Sequence, residues 1–167
     1  MSSAELYLSN QDSHPIDMVE SLATHHDWDF DRLAEDQIAM VVDGQWRSYS
    51  LSLALAPGGD VLRLICTFEM DPPDAAMPAL YETLCRANDM VWSGSFSFWD
   101  AQRLMVWRYG LLMSDEQPAG IDQIDRMLRS AITAAERFYP AFQLVAWADH
   151  SPQAALDLAL ADAVGRA

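Results

Sequence analysis

The sequence contains no lysine, only two cysteines and no long apolar run. Its longest uncharged stretches are short, such as LSLALAP (51–57) and AFQLVAWA (141–148), whereas a membrane span needs roughly 18 or more apolar residues. The opening MSSAELYLSNQDSH has no basic start and no apolar centre, so no secretory signal is expected. Cys66 and Cys85 form no CxxC. That argues against a zinc ribbon or a redox pair and for two buried free thiols in a reducing, cytoplasmic setting. All ten basic residues are arginine, a bias that fits the codon usage of a GC-rich genome.

Positive charge is also scarce. Twenty-five acids against ten arginines give a net charge of −15, and residues 1–46 alone hold ten acids and one base. Phosphate backbones and anionic lipid surfaces repel such a chain, so neither nucleic acid nor membrane is expected as a partner.

What remains is a globular composition: 167 residues, 51% apolar and 21% charged. It suits a polar tail over 1–13 and one domain over 14–167. A helix is expected from about Ser13 to His25–His26, with Pro15 in its first turn and Ile16, Val19, Leu22 and Ala23 on its apolar stripe. Alternation then marks strands over 37–44, 45–57 and 61–70, separated by the turn signals Asp43-Gly44 and Pro57-Gly58-Gly59-Asp60. A helix over 74–90 precedes strands over 93–99 and 103–113. A long helix runs over 121–139, where Pro140 is expected to break it, and a last helix follows Pro152. The expected fold is α+β: a two-layer α/β sandwich with an antiparallel sheet, of order α-β(3)-α-β(2)-α, plus a helical C-terminal tail.

No constellation for catalysis emerges, and no cofactor is expected. HHDWDFDRLAEDQI (25–38) places Asp27, Asp29, Asp31 and Glu35 at calcium-loop spacing. Yet Arg32 stands where the loop needs glycine, and Ile38 where it needs a bidentate glutamate. The stretch reads better as a solvated acidic turn, and a metal-dependent enzyme built on His25–Asp31 is kept only as an alternative. Gly58-Gly59 precedes a strand and makes no phosphate loop. The serines of WSGSFSF (92–98) do not form the G-x-S-x-G elbow. They alternate instead with aromatics, so that Trp92, Phe96 and Phe98 fall on one face and Ser93, Ser95, Ser97 and Trp99 on the other. Trp46 shares a face with Ser48, Ser50 and Ser52. Strand 103–113 is apolar on both faces, with Leu104 and Val106 opposite Met105, Trp107 and Tyr109. Trp46, Trp99 and Trp107 are therefore the candidates for a protein-binding or dimer face, since aromatics among small polar residues mark interaction surfaces.

Three stretches carry a family resemblance: ALYETLCRANDMVWSGSFSFWD, RLMVWRYGLL and AAERFYPAFQLVAWADHSPQAALDLAL. They resemble the YbjN family of small bacterial proteins, over roughly residues 14–165. That resemblance implies a fold like that of type III secretion chaperones, of the same element order, and a role in sensory-transduction regulation. It brings no catalytic residues. It implies a homodimer that holds a segment of a client or regulatory protein.

Overall fold

The computed structural model describes residues 14–164, with side chains to residue 161. Pro15 sets the first turn of helix α1 (Pro15–His25), and His14 Nδ1 caps it by accepting the Ile16 N–H at 3.2 Å. Four strands follow: β1 (Asp29–Ala34), β2 (Gln37–Asp43), β3 (Ser48–Leu55) and β4 (Val61–Glu69). A 3-10 turn at Asp74–Ala76 leads into α2 (Met77–Asn88), then β5 (Ser95–Trp99) and β6 (Leu104–Leu112), and finally α3 (Ile121–Trp147) and α4 (Pro152–Val164). The six strands form one antiparallel sheet in the order β1-β2-β3-β4-β6-β5. After the four-strand meander the chain crosses through α2, lays β5 on the far edge, and returns β6 between β5 and β4.

The core lies between one face of this sheet and the helices. From the sheet come Ile38, Met40, Tyr49, Leu51, Leu53, Leu64, Phe68, Phe96 and Met105, all buried. From α3 come Ile124, Leu128, Ala131, Ala135, Phe138 and Phe142 at helical spacing. Phe96 meets Phe138 and Phe142 edge-on, with ring centroids 5.5 and 5.1 Å away. Each such ring, fully buried, contributes roughly 1.5–3 kcal/mol of transfer free energy. Among the described residues no helix is long and apolar enough to cross a membrane.

Three features depart from the sequence reading. The acidic stretch 25–38 is not a turn: DFDRLA forms β1, making the order α-β(4)-α-β(2)-α-α. This strand has almost no buried side chain, so its alternation carries charge rather than hydrophobicity. Backbone pairing with β2 holds it, together with Arg32, whose Nη1 donates to Asp17 and Glu20 of α1 at 2.9 Å each. Burial disfavours the Arg32 charge, but those two carboxylates outweigh it and its pKa rises. Asp29, Asp31 and a register shift between Arg32 and Ala34 guard this edge against pairing with another chain.

Pro140 does not end α3. A proline inside a helix costs about 3 kcal/mol. Here Phe138, Ala141, Phe142, Val145 and Ala146 are buried on both sides of it, and their burial exceeds that cost. Cys85, expected to be buried, is exposed on α2, while Cys66 is buried in β4.

Candidate binding face

Strand pairing sorts every residue of the sheet onto the helix-covered face or the opposite one. On the opposite face, Val41, Ser50, Thr67, Val106 and Ser97 form one row across β2, β3, β4, β6 and β5. Ala39, Ser52, Ile65, Arg108 and Ser95 form the next. Except for Val106, these side chains are exposed or half-buried, and the described helices pack on the other side of the sheet. The face therefore mixes small hydroxyls with a few aliphatic groups. Asp29, Asp31 and Asp43 lie toward one edge, and Arg63 and Arg108 toward the other.

Trp99 lies half-buried on this open face, across from Leu104. The turn after it is fixed by Arg103, which donates to Asp100 at 2.7 Å, to Asp71 at 3.0 Å and to the Pro72 carbonyl at 2.5 Å. Its guanidinium also covers the Phe98 ring at 5.5 Å.

Trp46, 44% exposed, lies in the β2–β3 turn rather than on the strand. That turn is held by the Gly44 N–H donating to the Arg47 carbonyl at 2.9 Å. The Arg47 guanidinium packs 5.6 and 5.7 Å from the Phe68 and Tyr139 rings and donates to the Glu69 carbonyl. Burial first, then the neighbouring Glu136 carboxylate, pushes the Tyr49 hydroxyl above its ordinary pKa, although neither Tyr49 Oη nor Glu136 Oε1 finds a well-formed hydrogen bond.

Trp107 is not on the open face. It pairs with Cys66 and Phe96, points into the core and is 1% exposed. Both faces of β6 are apolar, so alternation alone could not orient it; pairing with Phe96 does.

Trp92 is misplaced by the same alternation. Strand β5 begins only at Ser95, because Gly94 has φ +76° and breaks the two-residue period. Trp92, expected inward with Phe96, projects from the α2–β5 loop and is fully exposed. The signal available in the sequence was the glycine itself, at the head of the strand.

The cluster His25–Asp31 does not converge. His26 Nε2 lies 3.0 Å from Asp125 Oδ1 and its ring stacks on Trp28, while β1 sends Asp29 and Asp31 to the face opposite Phe30 and Arg32. Among the described residues no three His, Cys, Asp or Glu side chains gather into a set that could hold a metal.

A family model described as "Putative bacterial sensory transduction regulator" matches residues 15–144. Among solved structures, the chain is similar to one titled "Crystal structure of YbjN, a putative transcription regulator from E. coli", with a TM-score of 0.51 and 11% identity, covering 81% of this chain and 92% of that one. At that identity the likeness establishes the fold alone. No curated protein matches the chain.

Proposed function

The chain belongs to the YbjN family, and from that premise we propose that it is a non-enzymatic regulatory protein that binds a segment of another protein on the open face of its sheet. One observation carries this reading: among the described residues a sheet of six strands is covered by helices on one side, and its other side presents the small hydroxyls of Ser50, Ser52, Thr67 and Ser97, with Trp99 on the β5 edge beside Ser97 and Leu104. Small hydroxyl residues let another backbone approach closely. A half-buried indole at the edge of the same face is the kind of anchor that carries a large share of binding energy. Asp29, Asp31 and Asp43 toward the β1 edge favour a segment with basic residues at that end.

The experiment compares the wild-type chain with Trp99→Ala for retention of the protein it captures from its own organism. Capture should weaken by about 1–4 kcal/mol while the melting temperature barely moves. Equal capture by both proteins would overturn the use of this face.

A further inference from the structure

We propose that the surface around Trp92 is a nucleotide site, with the base stacked on the indole and the phosphates held by Arg63 and Arg108. Trp92 is 101% exposed, so both faces of its ring are open to a planar ligand. Its loop is nevertheless fixed at both ends. Asn88 grips the Phe96 backbone, and Gly94 lies so close on the Trp107 ring that an added Cβ would fall 2.1 Å from it.

Two depressions meet at Trp92 and Ser93. One, of about 730 Å³, is lined by Arg63, Ile65, Ser95 and Arg108 and lies within the size range of small-molecule sites. The other, of about 540 Å³, is lined by Arg126, Arg129 and Arg137 of α3. Half of the ten arginines of a chain with net charge −15 thus surround one exposed indole.

The other described arginines are engaged elsewhere: Arg32, Arg86 and Arg103 each take a carboxylate partner, and Arg47 packs on the Phe68 and Tyr139 rings. With 25 acids available, Arg63 and Arg108 take none among the described residues, while Arg129 of α3 is paired with Asp125 at 2.9 Å. Register pairs Ile65 with Arg108 and Arg63 with Gly110, so the two arginines are diagonal neighbours on one face of the sheet, and Gly110 puts no side chain between them. Two planar guanidinium forks on adjacent strands suit a phosphate group, which accepts bidentate hydrogen bonds.

The acidic remainder of the protein repels a long polyanion, whereas a ligand with a few charges fits within the local basic patch. An acidic peptide would use the arginines and leave the indole idle. A nucleotide uses both.

Arg63 and Arg108 lie on the same open face as the proposed segment site, but the nucleotide determinants are Trp92, Arg63 and Arg108 rather than Trp99, so variants at these positions separate the two readings. The test is calorimetric titration of the full chain with ATP and GTP, with adenosine and inorganic pyrophosphate as partial probes. At least one nucleotide should bind with one-to-one stoichiometry, and adenosine and pyrophosphate should each bind far more weakly than it does. Trp92→Ala and the double variant Arg63→Ala/Arg108→Ala should each weaken binding at least about tenfold. Both alter exposed side chains, so an unchanged melting temperature shows that folding is intact. The proposal fails if neither nucleotide binds at millimolar concentration, if Trp92→Ala has no effect, or if pyrophosphate binds as tightly as ATP. It fails equally if an Asp/Glu-rich peptide binds through the same arginines while nucleotides do not, which would assign the patch to an acidic protein segment.

Discussion

The carboxamide of Asn88, the last residue of α2, holds both backbone groups of Phe96 in β5: Oδ1 accepts the Phe96 N–H at 2.6 Å and Nδ2 donates to the Phe96 carbonyl at 3.0 Å. One side chain thereby stands in for the strand that the sheet edge lacks, and it fixes the span of the loop that carries Trp92. Asn88→Asp keeps the acceptor and loses the donor, setting a carboxylate against a carbonyl. It should cost about 1–3 kcal/mol, with Asn88→Ala no milder. Chemical denaturation checks the cost, and amide exchange at Phe96 should speed up in both variants.

Gly94 is the second fixed point. Any side chain there meets the Trp107 ring, and φ +76° is strained for L residues. Gly94→Ala should therefore destabilise by roughly 2–5 kcal/mol, combining backbone strain with overpacking. It should also shift the fluorescence of the buried Trp107, which emission spectra of the folded variant will detect.

The two faces of β5 should differ sharply. Phe98 is buried beneath Arg103 and near Tyr81, whereas Ser95 is exposed. Phe98→Ala should cost about 3–5 kcal/mol, and Ser95→Ala only a few tenths, within the usual range of about ±0.5 kcal/mol for surface changes. Urea melts of the two variants provide the comparison.

The cysteines should separate by reactivity and by pH. Cys85 is exposed and should react with a thiol reagent in seconds, while Cys66 should react only on unfolding. Burial pushes the Cys66 thiol from 9.0 up to about 12, and burial also raises Tyr49. Both groups release their protons in the unfolded chain at lower pH than in the fold. Stability should therefore hold up to about pH 9 and then fall towards pH 12, by on the order of 1.4 kcal/mol per pH unit for each group in its window. Melts between pH 8 and 11 test the direction; a rise would contradict it.

Much of this architecture was legible. Periodicity located α1, β2, β3, β4 and α2 because each buries an alternating or helical stripe, and the serine face of β5 read correctly for the same reason. It missed β1, whose cohesion comes from backbone pairing and from Arg32 rather than from apolar residues. It cut α3 at Pro140 because local propensity cannot count the burial of Phe142 and Val145 on the far side. It misplaced Trp92 and Trp107 because a glycine interrupts one alternation and a doubly apolar strand hides the other. The diagonal placement of Arg63 and Arg108 on one face depends on register between strands more than forty residues apart, which no local pattern encodes.

The most direct test of the account is site-specific photo-crosslinking from Ser50, at the centre of the open face, with Gln143 on α3 as the control position. The account predicts a crosslink from Ser50 to a distinct polypeptide, lost in Trp99→Ala and absent from Gln143. A crosslink only to a second copy of the chain, with light scattering at twice 18.7 kDa, would make the face a dimer interface and contradict segment binding. So would crosslinks from Gln143 with none from Ser50.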